Sequence, residues 1–438
     1  MTGFILADLR RLWAGSIVVV LLIAFASALG VAVTLQERAL RLGSARAADK
    51  FDLVVGAPGS ETQLLLSSVF LQPSPLPLMP GNVLSKLSAD PRVSWAAPVG
   101  FGDSFSGYPI VGTSSVLAGN LSALAEGRVF ASAGEAVVGS AVKLPLGYAV
   151  KPTHGLAELG GETHTELAYS IIGRMAPTGT SWDRAILVPI QSVWSLHGMG
   201  EDTHEDAEKE HVTEPEGAHP DEAVHAHEHA EEVAVGHEPH AHEHGHIDPA
   251  APLDEAWTAE APGLPAILVK PKTIADAYKL RQDYRGNGTL AVFPGEVLTN
   301  LYATLGDAKR VLSAVAVGAQ ILVAAAVLLV TVIHIGQRRR QIGALRAFGA
   351  PQSAVLAIVW LELFVLVAAG ILLGFAIGYG AARILSGLFS GESGVALPVG
   401  FAREDLASAA AIALFAAGLA LVPALLAYRQ SPASALRA

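Results

Sequence analysis

The chain has 438 residues, of which 51% are hydrophobic and only 16% are charged, and it contains no cysteine. Soluble domains carry roughly a quarter of their residues as charged ones, so this composition favours a membrane protein. The absence of cysteine excludes disulfides, thiolate metal sites and thiol catalysis. The net charge of −11 is a local feature, because residues 201–248 hold most of the acidic excess, and it therefore gives no indication of a nucleic-acid partner.

Four apolar runs are long enough to cross a bilayer, whose hydrocarbon core of about 30 Å requires about 20 helical residues. They are Leu12–Leu35, Val311–Ile335, Ala354–Ala382 and Ala407–Tyr428. Runs of this length predict four transmembrane helices. The alternative for the first run is a cleaved signal peptide with a cleavage site near the small residues Ala26–Ala28, but the length of the run favours an uncleaved anchor.

Arginines near the ends of these runs predict the orientation of the chain. The relevant residues are Arg10, Arg11, Arg338, Arg339, Arg340, Arg346, Arg429 and Arg437. Because basic residues accumulate on the cytoplasmic side, we expect a multi-pass inner-membrane protein with both termini in the cytoplasm. The predicted domains are residues 1–35 with the first helix, residues 36–310 outside the cytoplasm, and residues 311–438 with the remaining three helices.

The external region 36–310 has the mixed pattern of an α/β domain. The predicted strands are Phe51–Val55, Val93–Val99, Tyr108–Val111, Glu135–Gly139, Tyr169–Ile172, Ala266–Val269 and Thr289–Phe293. The predicted helices are Val83–Leu87, Ile274–Tyr284 and Gly295–Lys309. A proline-rich loop is expected over Pro73–Pro80.

A histidine- and acid-rich insertion over residues 197–248 interrupts this domain. Residues 197–246 contain 12 of the 15 histidines and few residues that could build a core, so the composition predicts disorder without ligand. Neutral imidazoles bind zinc, copper or nickel, with carboxylates completing the shell. The candidate metal ligands are His225, His227, His229, His237, His240, His242, His244 and His246. The alternative is a solvated acidic linker with incidental metal affinity.

The loop between the second and third apolar runs is the most specific part of the sequence. Residues Gln337–Ala350 predict a short helix with an apolar stripe that Gly349 ends and Pro351 cannot continue. This run resembles the signature of FtsX-type permeases, the membrane subunits of MacB-like and LolCDE-like ABC transporters. The resemblance implies a coupling helix that docks on a cytosolic ATPase. The corresponding residues are Arg338, Arg339, Arg340, Ile342, Leu345, Arg346, Phe348 and Gly349.

Further matches to the same family occur in the third span and near the carboxyl end. Glu362, followed by glycines at 370, 374, 378 and 380, resembles the third span of the family, and residues 423–437 resemble its ending. Glycines four residues apart let helices approach closely, so Gly370, Gly374 and Gly378 are predicted packing positions. A charge at the centre of a span costs about 3 kcal/mol on insertion scales. We favour a structural or packing role for Glu362 over a proton relay.

Three external segments resemble the periplasmic core of MacB-type proteins. They are Gly127-Arg128, Glu135–Ser140 and Ile172–Thr180. Together these resemblances imply an α-helical membrane protein with four transmembrane helices and a MacB-type periplasmic α/β domain that carries the disordered insertion.

The chain lacks the Gly-x-x-x-x-Gly-Lys-[Ser/Thr] phosphate loop, so we expect no ATPase activity in it and an ATPase on a separate chain. The resemblance implies a homodimer or a pair of permeases that transmits the movement driven by ATP hydrolysis to the external domain. That domain is expected to act on a periplasmic, lipid-linked or peptide client. It can also engage a periplasmic partner. The alternatives are a metal-handling transporter, a metal-responsive regulator with zinc or another divalent transition metal at the insertion, and an FtsX-like activator of a cell-wall hydrolase.

Overall fold

The computed structural model describes residues 13–72, 74–154, 167–199, 247–304 and 351–428, together with scattered positions between 310 and 325. The chain divides into two compact units. The α/β unit consists of Lys50–Thr178 and Trp182–Phe293. The helical unit consists of Met1–Asp49, Gly179–Ser181 and Pro294–Ala438.

Eight α-helices with defined bounds occur in the described residues. They are α1 (Trp13–Ala47), α2 (Glu61–Ser68), α3 (Asn82–Ala89), α4 (Ser115–Leu121), α5 (Ile190–Leu196), α6 (Ile274–Asp283), α7 (Gln352–Ser393) and α8 (Arg403–Tyr428). Residues 294–304 are also helical, and a 3₁₀ turn spans Ser181–Arg184.

The α/β unit contains twelve described strands. They are β1 (Leu53–Gly56), β2 (Val93–Val99), β3 (Asp103–Phe105), β4 (Tyr108–Thr113), β5 (Leu124–Gly127), β6 (Glu135–Val138), β7 (Ala149–Val150), β8 (Thr153–His154), β9 (Tyr169–Met175), β10 (Ile186–Pro189), β11 (Ala266–Pro271) and β12 (Leu290–Val292). The mixed α/β architecture predicted for this region is therefore present.

These strands form two sheets. The four-stranded sheet, in the order β12-β1-β11-β2, is antiparallel throughout. The larger sheet runs β5-β9-β6-β10-β4-β3-β8, with β7 also paired to β9, and it contains the parallel pairs β6–β9 and β4–β10. Gly100 and Gly112 join the two sheets through reciprocal backbone hydrogen bonds of 2.8 and 3.0 Å.

The core of the α/β unit follows from the strand patterns. Alternate residues of β9 are buried, from Tyr169 to Met175, as expected for a strand with one face on the core. The four residues of β1 and of β10 are all buried, which is typical of strands covered on both faces. Trp182 and Phe51 are among the largest fully buried side chains.

The first helix does not end with its apolar run. It continues twelve residues past the predicted end at Leu35, because Gln36, Glu37 and Arg38 begin a stretch of residues with good helix propensity. The helical unit thus includes residues that the sequence assigns to the external domain, and the α/β unit begins only at Lys50.

Helices α7 and α8 belong to the same unit as α1. Helix α7 begins directly after Pro351 and ends at Ser393, and the next residue, Gly394, has the left-handed φ of 75° that favours glycine at a helix end. Helices α1 and α7 are long and apolar enough to cross a membrane. Most of the run 311–335 and all of the loop 337–350 lie outside the described residues, so the count of four transmembrane helices stays a prediction.

Candidate functional site

The structure describes only some of the residues that the sequence singles out. The eight coupling positions from Arg338 to Gly349 and the eight insertion histidines from His225 to His246 lie outside the described residues. Glu362, the α7 glycines and the three external segments are described. They lie in two candidate functional regions, helix α7 in the helical unit and the larger sheet in the α/β unit.

The glycines of α7 lie directly against α1. A Cβ atom at Gly370 would lie 2.7 Å from the Ile23 Cβ, and one at Gly374 would lie 2.6 Å from the Ala24 carbonyl oxygen. A Cβ at Gly378 would lie 2.7 Å from the Ala28 carbonyl oxygen. Such distances leave no room for a side chain, so the two helix backbones pack closely along three successive turns of α7.

Beyond this apolar seam, polar contacts join α1 to the rest of the helical unit. Arg38 donates two hydrogen bonds to the Asp405 carboxylate, at 2.6 and 3.0 Å, and a third to the Gly400 carbonyl oxygen at 3.3 Å. Ser386 donates to Gln36 at 3.3 Å. Two-point arginine–carboxylate contacts fix orientation as well as distance, so this cluster fixes α1 relative to the start of α8.

A third connection holds the far end of α1. The Tyr302 hydroxyl donates to the Leu40 carbonyl oxygen at 3.1 Å and makes a short hydrogen bond with the Ser44 hydroxyl. The helical segment 294–304 is therefore held against the polar extension of α1.

Glu362 lies on α7 and is partly buried. Its neighbour Trp360 donates through the indole nitrogen to the Ala417 carbonyl oxygen at 2.9 Å, which joins α7 to α8. The Trp360 ring also stacks on Phe364 with 5.3 Å between ring centroids. The surroundings of Glu362 are thus a helix-packing region.

The three external segments that carry the family resemblance come together in the larger sheet. Arg128 makes a two-point ion pair with Glu135, which also accepts a hydrogen bond of 2.8 Å from the Ala131 amide. The Arg128 hydrogen bonds hold the pKa of the Glu135 carboxyl below its usual range, against the opposing effect of burial. Gly127 has a φ of 73°, and a Cβ there would lie 2.0 Å from the Ile172 carbonyl oxygen.

The loop after β9 is held by a buried carboxylate. Asp183 accepts hydrogen bonds of 2.8 Å from both the backbone amide and the hydroxyl of Thr178. Gly139 lies beneath this turn, where a Cβ would be 2.3 Å from the carbonyl oxygens of Trp182 and Asp183. Except for Gly179 and Thr180, which belong to the helical unit, the resemblance segments form one tightly packed part of the α/β unit.

A group of potential metal ligands also occurs in the α/β unit, and it includes none of the eight insertion histidines predicted as ligands. Single ligand atoms of Asp103, His154 and His197 lie within 4.8 Å of one another. His197 lies at the start of the histidine-rich region, but the sequence offers no signal that connects it with Asp103 or His154. The Arg38–Asp405 pair could not be predicted from the sequence either, because 367 positions separate the two residues.

Comparison with known proteins identifies the membrane part of the chain. Residues 313–432 match the family described as FtsX-like permease C-terminal, a range that includes α7 and α8. A comparison with curated proteins gave no match. Members of the matched family are membrane subunits of ABC transporters, which act with an ATPase partner and are not enzymes themselves. Residues 313–432 of the chain therefore carry an FtsX-like permease C-terminal region, which supports its assignment as a membrane subunit of an ABC transporter.

Proposed function

We propose that this permease transmits ATP-driven movement mechanically to its α/β unit, which then acts on a periplasmic client such as a lipid-linked molecule or a peptide. The observation that carries the proposal is the unbroken helix α1, which continues from the apolar run into a polar segment held by Arg38 and Tyr302. We further propose a paired arrangement of permeases in the inner membrane, with cytoplasmic termini.

The length of α1 supports this role. Its 35 residues correspond to about 53 Å at 1.5 Å per residue. A hydrocarbon core is about 30 Å thick, so roughly 20 Å of helix extends beyond it. A continuous helix is stiff, because bending it requires breaking backbone hydrogen bonds. Movement at one end of α1 would therefore reach the other end without being absorbed by a loop.

The packing of α1 against α7 supports force transmission over a substrate channel. Transporters that bind cargo near the bilayer midplane place polar groups and interrupted helices there. Where α1 meets α7, glycines at 370, 374 and 378 face Ile23, Ala24 and Ala28, and both helices are continuous. This interface brings the two helix backbones into close contact along residues that are mostly small or apolar.

The proposed contact with the ATPase is the loop around Leu345. Replacing Leu345 with Asp places a charge on the apolar stripe and is expected to abolish copurification of the ATPase. The matched variant Ala344→Asp adds the same charge away from the stripe and is expected to retain the complex. Equal retention of the ATPase by both variants would contradict the proposed contact.

Transmission itself is testable at Arg38. The chain contains no cysteine, so spin labels can be introduced at Ile274→Cys and Leu42→Cys, both at exposed positions. We expect a nucleotide-dependent change in the distance between the labels in the complete complex. Arg38→Met should diminish that change while ATPase association persists. Arg41→Met, at a residue whose side chain is 60% exposed, is the control and should preserve the change. An unaltered distance change in Arg38→Met would refute the proposed path.

The composition of the insertion favours a second candidate function, in which metal binding is part of transport or of its regulation. Deleting residues 201–246 tests it and spares Asp248, whose carboxylate accepts a hydrogen bond of 2.9 Å from the Ala250 amide. If ATPase stimulation by the permease responds to zinc in the intact chain and not after the deletion, regulation is supported. An identical zinc response in both proteins would remove the support for this candidate.

A further inference from the structure

Three side chains of the α/β unit are brought together by its topology. Asp103 on β3 and His154 on β8 are directly paired residues of two antiparallel strands. His197 is the first residue after α5. Because cross-strand partners have neighbouring side chains, the register of β3 and β8 alone places a carboxylate beside an imidazole. The end of α5 then supplies the second imidazole.

The distances between these groups suit a small cation. His154 Nδ1 lies 3.4 Å from Oδ1 of Asp103, and His197 Nε2 lies 3.2 Å from Oδ2 of the same carboxylate. In a tetrahedral zinc site with metal–ligand bonds of about 2.0–2.2 Å, adjacent ligand atoms are about 3.3–3.6 Å apart. The imidazole rings have centroids 5.3 Å apart. Small side-chain rotations would therefore bring all three groups onto one ion.

The electrostatics of Asp103 point in the same direction. Its side chain is only 3% exposed, and a buried carboxylate is costly unless it is paired or bound to a metal. Burial raises the pKa of the Tyr169 hydroxyl, and the negative charge of Asp103 raises it further. That hydroxyl has no hydrogen-bond partner within the described part of the chain. A divalent cation would offset the negative charge of this buried carboxylate.

The cluster is open on one side. The His154 side chain is 60% exposed, whereas that of His197 is 19% exposed. A metal ion held here would have three protein ligands and one accessible coordination position, which differs from a closed structural site with four protein ligands.

We propose that Asp103, His154 and His197 form a binding site for a divalent transition metal ion of the zinc class, built into the folded α/β unit. Two imidazoles and a carboxylate are a ligand set that zinc accepts readily. His197 is also the residue at which the histidine-rich insertion begins, so the site lies at the base of a segment rich in the same ligands. The open coordination position is suited to exchange of the ion with another ligand.

Thermal unfolding of the full chain in detergent separates this site from metal binding by the insertion. Zinc bound only by the folded α/β unit raises its Tm, whereas ligands that bind equally in the unfolded chain do not. We expect zinc to raise the Tm of the wild type by several degrees, with no rise in the double variant His154→Gln/His197→Gln. The matched control His225→Gln/His227→Gln removes two predicted insertion ligands and should keep the rise.

Two measurements guard against loss of fold. The exposed position of His154 makes His154→Gln the mildest change, and it should weaken zinc binding at least tenfold while the Tm without metal stays unchanged. Titration with Co²⁺ should give the absorption of a four-coordinate site in the wild type, and this signal should disappear in Asp103→Asn. An unchanged zinc-dependent Tm in the double variant, or no rise in the wild type at saturating zinc, would overturn the proposal and leave Asp103 as the partner of two hydrogen-bonded histidines.

Discussion

The seam between α1 and α7 makes a sharp prediction about single methyl groups. In Gly374→Ala the new Cβ would lie 2.6 Å from both the Ala24 carbonyl oxygen and the Ser27 Cβ. Ordinary van der Waals contact begins near 3.4 Å. The helices must therefore separate locally by roughly 0.8 Å, a gap at which neighbouring contacts lose a quarter to a half of their dispersion energy.

The magnitude follows from two opposing effects. Overpacking of this kind costs about 1–3 kcal/mol. Replacing glycine by alanine inside a helix returns about 1 kcal/mol of helix propensity. The net destabilisation of the association of α1 with α7 in Gly374→Ala should therefore be about 0–2 kcal/mol. Gly380, on the same helix, has no atom within 4 Å of its Cβ position, so Gly380→Ala should be neutral or slightly stabilising.

The assay is denaturant-induced unfolding of the purified full chain in detergent, followed by helical circular dichroism. The two variants contain the same added methyl group on the same helix, so their difference isolates the contact with α1. We expect Gly374→Ala to unfold earlier than the wild type and Gly380→Ala to unfold at the same point or later. Equal midpoints for the two variants would show that α7 does not depend on close approach to α1.

Two further predictions concern the α/β unit. Gly139→Ala should lower the stability of this unit by about 3 kcal/mol, because the added Cβ meets the Asp183 carbonyl oxygen at 2.3 Å. The matched control is Gly119→Ala in α4, where the Cβ position is open. Equal thermal unfolding temperatures for the two variants would contradict the packing argument. Glu135→Gln should make the stability of the fold less dependent on pH in the acidic range. The hydrogen bonds from Arg128 lower the pKa of Glu135, so this carboxylate stabilises the fold above its unfolded pKa of about 4.3. That contribution declines as the pH falls through the lower pKa of the folded state. Unfolding midpoints measured from pH 3 to 6 that fall equally in variant and wild type would exclude this role.

The sequence predicted the elements whose causes are local. The strand Val93–Val99 has its predicted bounds, because a mostly apolar run lies between the turn-forming residues Asp90-Pro91 and Gly100. Helix α7 starts where Pro351 requires a break. The spacing of Gly370, Gly374 and Gly378 identified a smooth helix face, since four residues return a helix to nearly the same direction.

Boundaries and short elements were harder to predict. Strand β9 continues through Gly173 to Met175, although glycine disfavours strands, because the missing side chain lets the Arg128 carbonyl oxygen approach. Helix α5 was not predicted, since its seven residues are too few to show a clear helical period. In β9 the close approach of a neighbouring segment thus outweighs local preference.

The sequence by itself determined that this chain has long apolar helices, an α/β region and a segment dense in potential metal ligands, because each of these is expressed in neighbouring residues. Only the tertiary structure decided which distant groups meet. Arg38 reaches Asp405 across 367 positions, and Asp103 meets His154 and His197 through strand register and the end of a helix. Such pairings depend on sheet topology and helix packing, and no local pattern encodes them.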